Sequence, residues 1–115
     1  MLPAPAQAAI GVECRADDAM VRKLLGAIDH GPSHNAVTAE RTSTRALGGT
    51  CHSPVAALAV EDGGELWLRG EILSEDGAER VSGEVRFASG DPAPPEALAR
   101  ELLGKAPDAI RRLFE

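Results

Sequence analysis

The sequence predicts an α+β fold, with a three-stranded antiparallel sheet covered on one face by helices. An extra strand and helix, expected to belong to a domain outside this chain, precede that unit. Between residues 55 and 87, strand-like runs are separated by turn sequences, and the last two runs alternate apolar and polar residues. Helical spacing of apolar residues occurs on both sides of this block. The 115 residues are enough to bury one core.

The first thirty residues are predicted to hold one strand and one helix. Residues 2–7 cannot be helical, because prolines restrict the backbone there. Residues 8–15 alternate in the manner of a strand, with Ile10, Val12 and a buried, inert Cys14 expected on its apolar side. Asp17 and Asp18 are good helix starters for a helix over 19–28, which Gly31-Pro32 is expected to stop.

The strand at 8–15 has no ladder partner of its own, so its backbone groups need another sheet. We therefore expect two units: residues 1–30, a strand–helix segment that returns to an absent first domain, and residues 31–115, the carboxy-terminal domain. Without that partner, residues 8–28 would expose apolar surface. Either self-association through this segment or disorder of residues 1–30 is expected.

The second unit is predicted in regular order. A helix runs from Ser33 as N-cap to Leu47 and ends at Gly48-Gly49. The turns of the meander are expected at residues 62–64 and 75–77. The strands and the last two helices are expected around Val55–Val60, Leu66–Ile72, Val81–Phe87, Pro95–Leu103 and Ile110–Phe114.

Composition excludes several classes of function. The net charge of −6 and the scattered basic residues argue against a nucleic-acid partner. No apolar run is long enough to span a membrane, and the start lacks the basic region of a secretory signal. Two cysteines without a CxxC pattern suit a reduced cytoplasm. His30 and His34 are four residues apart, but the expected helix break between them argues against a metal site, so no metal is expected.

Cys51 is the residue with the most distinctive surroundings, in the segment from Leu47 to Pro54. Gly48 and Gly49 permit unusual backbone angles, so this loop can project a side chain or let a ligand approach closely. A loop thiol beside His52 could be a nucleophile or an attachment point. The local sequence alone still favours a half-buried structural cysteine.

Three other polar residues are candidates for ligand contact. Arg41 and Arg45 lie one helical turn apart and could face an anionic ligand with their guanidinium groups. They could equally be a solvated helix face that pairs with Glu40, which is the commoner arrangement. Gln7 precedes the first predicted strand, where its amide could touch a ligand or simply face water.

Several stretches together resemble one family. Residues 2–18 look like a hallmark stretch of the porphobilinogen deaminases, also called hydroxymethylbilane synthases. Residues 39–41, followed by 47–56, are similar to the cofactor-cysteine signature of that family, and the spacing between the two blocks needs no gap. The meander and the late helix match through residues 62–70, 74–77 and 97–103. The resemblance covers nearly the whole chain and identifies it as the carboxy-terminal part of a family member.

The resemblance implies an enzyme of tetrapyrrole biosynthesis. The family condenses four porphobilinogen molecules into the linear hydroxymethylbilane and releases ammonia. The growing chain is anchored on a dipyrromethane cofactor, which a thioether holds on the signature cysteine, here Cys51. A soft sulfur suits this role because it captures the electrophilic methylene left when a pyrrole loses its amine.

The resemblance also assigns roles residue by residue. Gln7 matches a residue near the polypyrrole, and Arg41 matches an arginine that faces acetate and propionate groups. Gly49 and Thr50 would shape the loop that presents the sulfur. The sequence departs from the family at Ala6 and Ala8, where glycines are usual, and at Ser53, where a hydrophobic residue is common.

The family's catalytic aspartate and most of its arginines belong to the first two domains. No catalytic residue is therefore expected in this chain, and the chain alone is predicted to be inactive. An isolated chain could also lack the cofactor. The alternative is a free-standing, non-catalytic binding or assembly domain of the same fold.

Overall fold

The computed structural model describes residues 2–7, 9–50 and 52–114, and it confirms the predicted α+β class. Three antiparallel strands form one sheet in the order β1-β2-β3. They span Val55–Asp62 (β1), Glu65–Leu73 (β2) and Arg80–Ala88 (β3). The helices are Ala19–Gly26 (α1), Gly31–Leu47 (α2), Ala93–Lys105 (α3) and Asp108–Arg111 (α4), and a 3₁₀ turn over Arg112–Phe114 follows.

The core lies between one face of the sheet and helices α2 and α3. Alternate residues of β2 point into it, as the sequence pattern predicts, because successive side chains of a strand point to opposite faces. Leu68 and Ile72 are fully buried. From the helical side, the core receives Ala39, Leu47, Leu98, Ala99, Leu102 and Ile110.

Two glycines at the centre of the sheet let α3 approach closely. Gly70 and Gly83 lie opposite each other in the β2–β3 register. A Cβ atom at Gly83 would lie 3.0 Å from Leu98 Cδ1, and one at Gly70 would lie 3.4 Å from Leu102 Cδ1. The missing side chains therefore leave the space that the two leucines of α3 fill.

The other sheet face carries polar side chains around one aromatic ring. Trp67 on β2 is half-buried, with the Arg69 guanidinium 4.3 Å and the Arg86 guanidinium 4.8 Å from the ring centroid. Arg86 also donates to Asp62 Oδ2 at 2.7 Å, and this hydrogen bond raises the pKa of Arg86. The two arginines over the Trp67 ring agree with the prediction that one face of the sheet is polar.

Helix α2 begins at Gly31, two residues before the predicted N-cap Ser33. Gly31-Pro32 starts this helix instead of stopping the previous one, because a proline in the first turn needs no backbone N–H. The N-cap is His30, not Ser33: the His30 ring accepts the Ser33 N–H at 3.3 Å. The predicted end is confirmed. Gly48 caps α2 in the left-handed conformation, with φ 78°.

The strand predicted over 8–15 is wrong for the part that the structure describes. Residues 9–15 are exposed and have no regular secondary structure, because no other strand is there to pair with them. Cys14 is exposed instead of buried. The helix that follows is confirmed, although shorter than predicted: Asp18 caps α1 by accepting the Val21 N–H at 3.0 Å. None of the residues of α1 is buried.

Candidate cofactor-anchoring loop

The candidate site is the loop that joins α2 to β1, residues 48–54. Cys51 itself lies outside the described residues, so the site is built from its neighbours. Ser53 Oγ accepts the Thr50 N–H at 2.8 Å, and the Ser53 N–H donates to the Thr50 carbonyl at 3.1 Å. The His52 N–H donates to Thr50 Oγ1 at 3.2 Å. Two hydrogen bonds thus join Thr50 to Ser53.

Gly49 packs where a side chain has no room. A Cβ atom there would lie 3.0 Å from Thr44 Cγ2 and 3.3 Å from the Thr44 carbonyl oxygen. Thr44 cannot easily rotate away, because its hydroxyl donates to the Glu40 carbonyl at 2.9 Å. The loop therefore turns back tightly against the last turns of α2.

We expect Gly49→Ala to lower the free energy of unfolding by about 1–3 kcal/mol, because the new methyl group meets backbone as well as side-chain atoms. Gly104→Ala is the matched control, since nothing lies within 4 Å of a Cβ atom at that position on α3. The control should leave stability unchanged or raise it by up to about 1 kcal/mol. Urea unfolding of both variants measures the difference, and equal midpoints would contradict the tight packing.

The loop borders an open cleft of about 440 Å³. Its lining includes Glu75, from the turn between β2 and β3, and Leu113, from the 3₁₀ turn. That β2–β3 turn is held by the Ser74 hydroxyl, which donates to Asp76 Oδ1 at 2.7 Å. This hydrogen bond lowers the pKa of Asp76, and a second one, donated by the Ala78 N–H, lowers it further. Among the described residues, Thr50, His52, Ser53 and Pro54 also line the cleft.

Arg41 and Arg45 are exposed on α2, one helical turn apart. Neither forms an ion pair within the described part of the chain. Their exposure agrees with the alternative of a solvated helix face, but the predicted pairing with Glu40 is wrong because Glu40 is buried. It is 5% exposed.

The buried Glu40 carboxylate binds two backbone N–H groups instead. Its Oε1 atom accepts the Ala6 N–H at 2.7 Å, and its Oε2 atom accepts the Ala59 N–H at 2.9 Å. Ala59 lies on β1, the edge strand beside α2. The carboxylate therefore accepts a hydrogen bond from the Ala59 N–H, which lies on the open edge of β1.

The segment before Gln7 lies along the same edge of the sheet. The Pro3 carbonyl accepts the Ala57 N–H of β1 at 2.9 Å. Ala6 has φ 58°, in the left-handed region that favours glycine. Gln7 follows and is exposed. Glu40 thus connects the turn that carries Gln7 to the helix that carries Arg41, and the loop around position 51 lies about two turns further along that helix.

Sequence reasoning missed two residues of this region, Glu40 and Ser53. Both accept hydrogen bonds from backbone N–H groups and so support the fold of the site without a ligand. Glu40 does have a signal: it falls among small or apolar residues at helical spacing, a stripe formed by Ala36, Ala39, Ser43 and Leu47. A carboxylate in an inward-facing stripe needs polar partners. Ser53 shows no comparable signal, because its bonds depend on the shape of the turn.

The described residues hold no group of three or more His, Cys, Asp or Glu side chains that could bind a metal ion. His34 faces Asp29, with 3.2 Å between Nδ1 and Oδ1, and His30 contacts Ser33. Within the same described ranges, no helix has the length and apolar character needed to cross a membrane.

Fold and loop together define a small α+β domain built around one long helix and the loop at its carboxyl end. The model of the family "Porphobilinogen deaminase, C-terminal domain" matches residues 34–106. The chain belongs to this family.

Curated relatives extend the similarity to nearly the whole chain. The porphobilinogen deaminase of Sphingopyxis alaskensis is 54% identical over 115 residues, which cover 99% of this chain and 36% of that protein. That of Paracoccus denitrificans is 50% identical over 108 residues, covering 93% and 34%. That of Moorella thermoacetica is 48% identical over 104 residues, covering 90% and 32%. The chain therefore spans about a third of the length of these relatives.

Proposed function

We propose that this chain is the cofactor-anchoring part of a cytoplasmic porphobilinogen deaminase, a transferase of tetrapyrrole biosynthesis. The whole enzyme would condense four porphobilinogen molecules into hydroxymethylbilane and release ammonia. The observation that carries this proposal is the family match over residues 34–106, which includes the loop at the end of α2. The two thirds of each relative that this chain does not match would supply the catalytic acid–base group.

Cys51 would hold the dipyrromethane cofactor through a thioether. Its described neighbours fit such a group. Thr50 and His52 are exposed on either side, and the adjoining cleft of about 440 Å³ can accept a ligand larger than a single ring. When bound, the cofactor would supply the anchored pyrrole end from which the chain grows. The bonds between Thr50 and Ser53, and the close packing of Gly49, would keep the loop in one conformation.

Arg41 and Gln7 would contact the carboxylated pyrroles. Guanidinium groups bind carboxylates through paired, charge-assisted hydrogen bonds, and Arg41 is exposed and engaged in no ion pair among the described residues. A local cation matters here because the chain carries a net charge of −6. Gln7, also exposed, would offer a neutral amide to the same ligand.

Residues 1–30 would be the segment that joins this domain to the remainder of the longer enzyme, and residues 31–115 would be the anchoring domain. Large apolar side chains in the first segment support this division. Ile10, Met20 and Leu24 are exposed. In isolation, residues 8–28 would offer a surface for self-association.

A chimera tests the proposed function. The matching third of the Sphingopyxis alaskensis relative would be replaced by this chain and the protein purified from cells that make porphobilinogen. We expect turnover of porphobilinogen to a linear tetrapyrrole. We also expect an added mass of two pyrrole units on the peptide that contains Cys51. The 115-residue chain alone should give no product, because no catalytic aspartate is expected in it.

A folded chimera with neither turnover nor added mass would contradict the proposed function. It would favour the alternative, a non-catalytic binding or assembly domain of the same fold. Linear tetrapyrrole formed by the chain alone would contradict the assignment of the catalytic groups to the rest of the enzyme.

A further inference from the structure

The Glu40 carboxylate joins three parts of the chain that are far apart in sequence. It lies on α2, and its two oxygens bind the N–H of Ala6 in the first segment and the N–H of Ala59 on β1. A buried carboxylate is costly unless its oxygens are hydrogen-bonded, and here each oxygen has a donor. The geometry is therefore that of a fixed bridge and not of a solvated surface acid.

The bridge ends next to both proposed ligand contacts. Ala6 directly precedes Gln7, and Arg41 directly follows Glu40. Ala6 has φ 58°, a conformation that costs a residue with a Cβ atom about 1–2 kcal/mol in the left-handed region. The hydrogen bond to Glu40 holds Ala6 in that conformation and so decides where the chain places Gln7.

We infer that Glu40 is a positioning residue, which fixes Gln7 relative to Arg41 so that both face the same carboxylated ligand. This inference rests on the proposed function. Glu40 itself is 5% exposed and would not touch the ligand. Its effect on activity would act through the orientation of Gln7, because a displaced amide would bind the ligand less well.

The first measurement concerns the chain itself and does not depend on its function. Amide hydrogen exchange by NMR should show Ala6 and Ala59 protected in the native chain. Glu40→Gln keeps one acceptor oxygen but turns an amino group toward the other donor, so exchange at one of the two amides should become about tenfold faster. Glu40→Ala should affect both amides. The control Glu101→Gln removes an exposed acid that pairs with Lys105 and should change neither.

The second measurement uses the chimera with the Sphingopyxis alaskensis relative. Glu40→Gln should raise KM for porphobilinogen about tenfold, with a smaller change in kcat. The reason is that the substitution disturbs contacts that bind the substrate: those of the Gln7 amide and of the Arg41 guanidinium. Intact mass and circular dichroism should show that the cofactor adduct and the fold are retained. Glu101→Gln should leave both kinetic constants unchanged.

Three results would overturn the inference. If Glu40→Gln exposes the Ala6 amide but leaves KM unchanged, Glu40 serves stability alone. If neither amide changes its exchange rate, the bridge does not exist in solution. A chimera with native Glu40 that lacks both turnover and adduct would overturn the inference along with the proposed function. The Ala6 exchange rate would still respond to Glu40→Ala in that case, which distinguishes the two failures.

Discussion

Cys51→Ser is expected to abolish both the covalent adduct and the turnover of the chimera. The thiolate is the nucleophilic form of cysteine, and a serine hydroxyl without an adjacent base is a poor nucleophile at neutral pH. The substitution is nearly isosteric, so the loop that Thr50 and Ser53 close should keep its fold. Intact mass, with peptide mapping, measures the adduct, and the absorbance of the oxidised product measures turnover.

Cys14→Ser is the matched control for this prediction. Cys14 is the second cysteine of the chain and is exposed, so it is available to any reagent that modifies accessible thiols indiscriminately. Its replacement should leave the adduct mass and the turnover unchanged. An adduct that survives Cys51→Ser but disappears with Cys14→Ser would show that the cofactor is anchored elsewhere.

Leu68→Ala is expected to lower the free energy of unfolding by about 2–5 kcal/mol, through lost burial and the cavity left behind. Leu68 is 0% exposed at the centre of β2, where it lies between Ala59 of β1 and Val85 of β3. Chemical denaturation monitored by circular dichroism gives the change in free energy. A loss of this size is a large share of the stability of a domain of this length.

Leu24→Ala makes the same chemical change on α1 and serves as its control. Leu24 is 64% exposed, so its truncation should change stability by no more than about 0.5 kcal/mol. An equal loss for the two variants would contradict the exposure of α1. It would show that this helix packs against another surface in solution, for which a second copy of the chain is the first candidate to test by sedimentation.

The antiparallel meander and its neighbouring helices could be predicted because their signals are local. Alternation along β2 and β3 follows from the pleat of a strand, and the turn residues between them fix the hairpins. Gly48 ends α2 because a residue at that cap takes a positive φ. The resemblance to porphobilinogen deaminases could likewise be recognised from Cys51 and its neighbours, since the motif is contiguous.

The predicted strand at 8–15 shows where local pattern is insufficient. Alternation makes a segment compatible with a sheet, but a strand exists only where another strand accepts its hydrogen bonds. In this chain, residues 9–15 have no such neighbour and are exposed, and Cys14 is exposed with them. The sequence already indicated that the partner would have to come from another sheet, and without that sheet the described residues of the segment form no strand.

By itself, the sequence determined the α+β class, the order of the meander and the family to which the loop around Cys51 belongs. Only the tertiary structure decided that Glu40 turns inward to bridge Ala6 and Ala59, and that Gly70 and Gly83 make room for leucines of α3. The physical reason is range. Alternation, caps and turns arise between residues a few positions apart, whereas these contacts join segments that meet only once the helices have packed on the sheet.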